Sequence, residues 1–248
     1  MDLDRFRALP LLGILRGIAP DALAPLTDAV CRAGLGAIEV TMNTAAAPAL
    51  IRSLVVRAGG RLMVGAGTVL DVEALEAALD AGATFIVLPV TVPAVVERCA
   101  ARGVPVFPGA LTPQEILAAW RAGATMVKVF PAGAFGPAYL REIKGPFRDI
   151  ELMAVGGVTA GNMHAYFDAG AAAVAFGASV FRSEWLAGEE YGRIEDEVRR
   201  LVEACRAATG SRPGTVPRGG DAALAAVGGA AGVGAPGVGS CSGAPRSG

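Results

Sequence analysis

The chain of 248 residues holds one histidine, two tryptophans, four cysteines and only two lysines, Lys128 and Lys144. Each scarcity excludes something. A lone histidine, His164, with no acidic cluster beside it, offers no ligand set for a catalytic metal, and it is expected to cap a helix or face solvent. Cys31, Cys99, Cys205 and Cys241 form no C-x-x-C pair, which argues against a zinc site and a disulfide framework and leaves them as small apolar fillers. With 22 basic against 23 acidic residues the net charge is −1. There is no positive surplus for a phosphate backbone, so nucleic acid is not an expected partner. Met1-Asp2-Leu3-Asp4 places acids where a secretory leader needs a basic segment, so a cytoplasmic location is expected. A dinucleotide fingerprint is missing as well: Gly65-Ala66-Gly67 runs on as Thr68-Val69-Leu70 without the third glycine. No cofactor is expected.

What the chain does have is apolar bulk: 53% hydrophobic and 18% charged residues can bury a sizeable core. That bulk is unevenly spread. Residues 207–248 are dominated by Gly, Ala, Ser and Pro, and no charge falls between Asp221 and Arg246. As a membrane span the stretch is weak, because repeated glycines and Pro236 interrupt it and Leu224 is almost its only large apolar residue. A disordered tail is expected there, with residues 1–206 as the single folded domain and no membrane partner.

One phrase recurs in that domain: a helical stretch rich in Ala, Leu and Arg, then a glycine, then a short run of strand formers, as in CRAGLGAIEV, LDAGATFIVLP and WRAGATMVKVF. The glycines taken as helix ends are Gly34, Gly59, Gly82, Gly103, Gly123, Gly145 and Gly170, spaced by 25, 23, 21, 20, 22 and 25 residues. A glycine past a helix supplies the left-handed reversal, and the apolar run after it is too short for a second helix. Eight strands are expected: Leu12–Arg16, Ala37–Val40, Leu62–Gly65, Phe85–Leu88, Val104–Phe107, Met126–Phe130, Glu151–Val155 and Ala173–Phe176. Alternating strands and helices in about 200 residues predict an α/β fold, a compact (β/α)8 TIM barrel, with a doubly wound open sheet as the alternative.

The carboxyl ends of barrel strands form the active-site face. Reading those ends gives Arg16, Glu39 with Thr41 and Asn43, Thr68, Pro89, Pro108, Lys128 with Phe130, Gly156-Gly157, and Gly177 with Ser179. In Met126-Val127-Lys128-Val129-Phe130, period-two alternation sends the valines toward the helices and Lys128 into the barrel. Desolvation there lowers the amine's pKa and makes it nucleophilic, whereas a lysine on an edge strand or snorkelling to the rim would stay an ordinary cation. Glu39 shares that inward parity between Ile38 and Val40. The second and sixth strands face each other across a barrel, so the carboxylate can shuttle protons beside the amine, the bland alternative being a structural ion pair. The glycine turns after the seventh and eighth strands suit a phosphate. Arg16 and Thr68 suit a carboxylate, against a rim salt bridge and a helix cap respectively.

Gly36-Ala37-Ile38-Glu39-Val40-Thr41, Gly65-Ala66-Gly67-Thr68-Val69, Val127-Lys128-Val129-Phe130-Pro131-Ala132 and Ala154-Val155-Gly156-Gly157-Val158 together resemble the 2-keto-3-deoxy-6-phosphogluconate and phosphogalactonate aldolase family, in collinear order from Leu9 to Arg200. The resemblance implies a metal-independent Schiff-base aldolase, usually a homotrimer, that splits a phosphorylated 2-keto-3-deoxy sugar acid into pyruvate and glyceraldehyde 3-phosphate. It implies that Lys128 forms the imine and Glu39 moves protons. Thr68 and Arg16 would hold the pyruvate carboxylate, Pro89 and Phe130 would wall the site, and Gly156, Gly157 and Ser179 would take the phosphate. Asn43 stands where the phosphogluconate enzymes usually carry an arginine, and Val90 where a small or polar residue is usual. Ile14–Ile18, Met42–Thr44 and Ala134–Tyr139 look closer to the phosphogalactonate branch. The alternatives are a gluconate-type or 4-hydroxy-2-oxoglutarate aldolase, an epimerase using Glu39 alone, and a non-catalytic sugar-phosphate sensor.

Overall fold

The computed structural model describes residues 1–210. In chain order the elements are α1 (Leu3–Ala8), β1 (Leu11–Leu15), α2 (Pro20–Arg32), β2 (Ala37–Thr41), α3 (Ala47–Ala58), β3 (Met63–Gly67), α4 (Val72–Asp80), β4 (Ile86–Val87), α5 (Pro93–Ala101), β5 (Val106–Phe107), β6 (Gly109–Ala110), α6 (Pro113–Arg121), β7 (Val127–Val129), α7 (Gly136–Lys144), β8 (Leu152–Val155), α8 (Met163–Asp168), β9 (Ala173–Phe176), α9 (Ser183–Ala187) and α10 (Tyr191–Gly210). All strand pairs are parallel, in the order β5-β4-β3-β2-β1-β9-β8-β7-β6. The result is a nearly closed barrel of the TIM type.

Among the described residues nine strands stand where eight were expected, because the chain beyond the expected Val104–Phe107 strand resumes pairing at Gly109–Ala110 after a break at Pro108. Proline has no N–H to donate to a ladder. The first half of the segment, β5, pairs with β4, and the second half, β6, pairs with β7. The carbonyls of Phe107 and Pro108 still accept from Leu88 and Lys128, at 3.1 and 2.9 Å, so one kinked strand carries the ring around.

The helices begin and end for local reasons. Proline, already held at a helical φ and missing only a donor that would go unused, opens α2, α3, α5, α6 and α7 at one of the first two positions. Asp71 caps α4, and Thr112 with Glu115 forms a capping box on α6. Of the seven expected helix-end glycines, six are left-handed. Gly145 is right-handed, with φ −54°. There the Lys144 ammonium donates to the carbonyls of Arg148 and Ile150, which steers the chain onward without a left-handed reversal. The expected domain boundary after Arg206 falls inside α10, which continues to Gly210 with Ala208 buried against the core. The remainder of the expected tail, including the uncharged stretch from Asp221 to Arg246, lies outside the described residues.

Side chains sort by parity into two layers. Ile38, Val40, Val127, Val129 and Val174 meet the helices, while Leu12, Ala37, Met63, Phe85, Phe107, Met126, Met153 and Ala173 fill the barrel. A Cβ at Gly65 would lie 2.4 Å from the Phe85 ring, so this glycine makes room for an aromatic floor. The element ahead of the first strand, α1, was not anticipated. It delivers Phe6, fully buried, with its ring 6.0 Å from that of Phe107, and so closes the end of the barrel away from the polar strand ends. Phe6→Ala is expected to cost roughly 3–5 kcal/mol of unfolding free energy. Urea denaturation checks this, and a loss below about 1 kcal/mol would show that α1 is not a plug.

Candidate active site

Along β7 the inward positions run from Met126 to Lys128 and then to Phe130, and along β2 from Ala37 to Glu39 and Thr41. Each strand thus passes from the apolar floor to one charged residue before it reaches the mouth. Glu39 is 1% exposed and Lys128 6% exposed. Gly67, on the strand next to Glu39, would place a Cβ 2.2 Å from Oε1. The absent side chain is the space in which the carboxylate lies. Among the described residues no hydrogen bond reaches Oε2.

Two charges so placed perturb one another. Burial pushes the Glu39 carboxyl up to about 7, with the charges of Lys128 and Arg16 acting in the opposite direction. Burial also lowers the Lys128 amine; Glu39 partly restores it, and the Arg16 guanidinium lowers it further. The Lys128 nitrogen lies 5.2 Å from the centre of the Phe130 ring, within cation–π range. The inward orientation expected for both residues is therefore found, and the rim or edge position for Lys128 is not.

Around the pair the mouth is built from strand-end loops. Arg16 is exposed, forms no ion pair among the described residues, and points an N–H at Asn43 Oδ1, 3.4 Å away. Thr68 is half-buried with φ +54°. A β-branched residue in the left-handed region costs about 1–3 kcal/mol and persists only where neighbours enforce it. Here Met42 N–H donates to the Gly67 carbonyl at 2.7 Å and Val69 N–H to that of Val87 at 3.3 Å. Thr68 is not the cap of α4, since Asp71 fills that place. Pro89 is half-buried, and its carbonyl sits where a Cβ on Gly109 would be, 2.1 Å away. Phe130 is 40% exposed at the rim.

Gly156 and Gly157 are both left-handed, at φ 95° and 76°, and the Gly156 carbonyl accepts from Gly133 N–H at 2.9 Å. Asn162 ties this loop to α8, donating to the Gly157 carbonyl and accepting from Thr159 N–H, both at 2.8 Å. After β9, the Gly177 carbonyl accepts from the N–H groups of Val180 and Phe181, leaving Ser179 exposed at the tip of the turn. A hollow of about 400 Å³ beside it is lined by Ala178, Ser179, Phe181, Arg182, Ser183 and Glu184. Arg182, which sequence reasoning missed, donates to the Ser179 carbonyl at 3.1 Å and lies 4.5 Å from the Trp185 ring centre. The signal was available: Arg182 is the cation nearest in sequence to the glycine turn after the last strand. His164 is exposed and paired with Asp168 at 2.8 Å, away from the site.

A buried amine and a buried carboxyl that sense each other's charge thus lie beneath glycine-lined loops at the carboxyl ends of a parallel barrel. The family model described as KDPG and KHG aldolase matches residues 3–197, and the chain belongs to that family. The chain is 37% identical over 201 residues to the 2-dehydro-3-deoxy-6-phosphogalactonate aldolase of Escherichia coli strain K12, covering 81% of this chain and 96% of that one. Over 161 residues it is 39% identical to a 2-dehydro-3-deoxy-phosphogluconate aldolase of Pseudomonas aeruginosa, covering 64% and 71% respectively. A solved structure called native KDPGal superposes with a TM-score of 0.76 at 36% identity, covering 82% of this chain and 97% of that one.

The raised carboxyl has a consequence for stability. Between the unfolded value of 4.5 and the folded value of about 7, the unfolded chain releases a proton that the folded one keeps, so stability falls as pH rises through that window. The full loss above pH 7 is roughly 3 kcal/mol at about 1.4 kcal/mol per pH unit. Glu39→Gln is therefore expected to melt higher than the parent at pH 8, with the gap narrowing toward pH 5. Thermal melts at the two pH values check this, and a gap independent of pH would contradict it.

Proposed function

We propose that the chain is a class I aldolase that reversibly cleaves 2-dehydro-3-deoxy-6-phosphogalactonate to pyruvate and D-glyceraldehyde 3-phosphate. The observation that carries the proposal is Lys128, a buried amine with lowered pKa, facing Glu39, a buried carboxyl near 7. The uncharged Lys128 nitrogen attacks the C2 carbonyl of the substrate, and the protonated Glu39 carboxyl gives its proton to the hydroxyl of the resulting carbinolamine, which leaves as water and yields an iminium. Glu39, now a carboxylate, takes the proton from the C4 hydroxyl. The C3–C4 bond then breaks, its electron pair passes to the iminium as an enamine, and the aldehyde departs. Glu39 returns the proton to C3, and hydrolysis frees pyruvate and the lysine. A carboxyl that titrates near neutrality can both accept and donate in one cycle.

The mouth supplies the grip. Arg16 and Thr68 hold the carboxylate, with Asn43 beside Arg16, while Pro89 and Phe130 wall the chain of the substrate. The phosphate lies on the loops of Gly156, Gly157, Gly177 and Ser179, with Arg182 adding positive charge. Left-handed glycines at 156 and 157 support this reading, since they bring the backbone close to the ligand. The same reading makes the protein a cytoplasmic homotrimer that needs no metal or other cofactor. Its support is the family resemblance together with free thiols at Cys31, Cys99 and Cys205. The 39% identity to a gluconate-type relative is the reason to test the C4 epimer as a second substrate.

Borohydride reduction in the presence of pyruvate is expected to add a three-carbon acid to the peptide carrying Lys128 and to none in Lys128→Arg. Turnover of both epimers with a chelator present is expected to favour the galactonate form. Label on Lys144, or nowhere, overturns the assignment of the Schiff base to Lys128. Faster turnover of the gluconate form moves the substrate assignment alone, and binding without turnover points to a sensor.

A further inference from the structure

Thr44 lies in the turn between β2 and α3, a place where a surface hydroxyl would be unremarked, yet it is only 6% exposed. Its Oγ1 accepts from Gly17 N–H at 3.0 Å and is 3.0 Å from Thr41 Oγ1. Thr41 is fully buried and sits on β2 two residues beyond Glu39. The Thr44 N–H donates to the Thr41 carbonyl at 2.9 Å, and the Thr44 carbonyl accepts from Ala47 N–H at 3.1 Å. Every polar atom of the residue is thereby used. One position earlier, Asn43 Oδ1 faces Arg16. Two consecutive residues of the second loop therefore hold two consecutive residues of the first, Arg16 and Gly17. Gly17 is left-handed, at φ 65°, and among the described residues its N–H is fixed by this contact.

We infer that Thr44 is a positioning residue for substrate recognition: its hydroxyl locks the loop after β1 to the strand that carries Glu39, and so sets where the Arg16 guanidinium meets the carboxylate of the bound keto acid. This rests on the aldolase reading of the site. Arg16 is exposed, has no carboxylate partner among the described residues and meets only Asn43 Oδ1 at 3.4 Å, so its placement depends on the backbone beneath it. A buried hydroxyl bridging two strand ends supplies that constraint, because losing it leaves the Thr41 hydroxyl unpaired in the interior. The turn thus couples carboxylate recognition to the proton-transfer group without touching substrate.

The test separates carboxylate recognition from imine chemistry. Trapping at Lys128 is measured against the concentration of pyruvate and of hydroxyacetone, a ketone without a carboxylate, in the parent, Thr44→Val and Thr44→Ser. The valine is expected to raise the half-saturating pyruvate concentration about tenfold, leave that for hydroxyacetone within about twofold, and be rescued by the serine. Equal weakening for both ketones, or no change for either, overturns the inference while leaving the aldolase reading intact. A parent not labelled at Lys128 overturns both. Should Thr44→Val fail to fold, Thr44→Ala makes the same test by removing the same hydroxyl with less bulk to place.

Discussion

The structure is organised around the burial of two opposite ionisable groups, Glu39 and Lys128, in one barrel interior, close enough to sense each other and almost wholly withdrawn from solvent. An isolated charge in such a place is costly, and the usual relief is neutralisation. Glu39 rises toward neutrality and Lys128 falls. Those same shifts give an amine that can attack and a carboxyl that can trade protons at ordinary pH. The property that burdens folding is the one the chemistry needs.

Holding such an interior places demands on the rest of the barrel. Its floor must be filled, which Phe6, Phe85, Phe107 and the inward methionines accomplish. Its wall must leave a gap for the carboxylate, which Gly67 does by having no side chain. Its rim must present donors without flooding the interior, and Phe130 covers the Lys128 nitrogen while Arg16 stands above. Thr68 adds a strained backbone at the mouth, a cost that the ladder on either side enforces. Glu39, Lys128 and Thr68 would each be easier to fold as a different residue, and all three lie at the site.

Much of this is legible in the sequence because barrel strands are short and obey a period of two. The alternation around Lys128 and Glu39 is enough to set their direction, and the glycine spacing marks six of seven helix ends by conformation as well as by place. What stays hidden is non-local. Gly67 reads as an ordinary turn glycine until the Glu39 side chain from the neighbouring strand is laid across it. The contacts of Thr44 join loops 27 residues apart and leave no local pattern. Pro108 splits a strand for want of one N–H, a detail that apolar runs do not record. The six residues of α1 are too few to show a helical period, and the small residues at the end of α10 blend in composition with the Gly- and Ala-rich segment after Gly210.

The central claim is that Glu39 is a buried carboxyl titrating near neutrality because of where the barrel puts it. Carbon-13 NMR of protein labelled at the glutamate side-chain carboxyl, with Glu39→Gln assigning the resonance, measures this directly. The account predicts a Glu39 midpoint of about 7, shifting again when pyruvate is trapped on Lys128. A Glu39 resonance that titrates near the ordinary 4.5 would contradict it and leave the proton shuttle without its carrier.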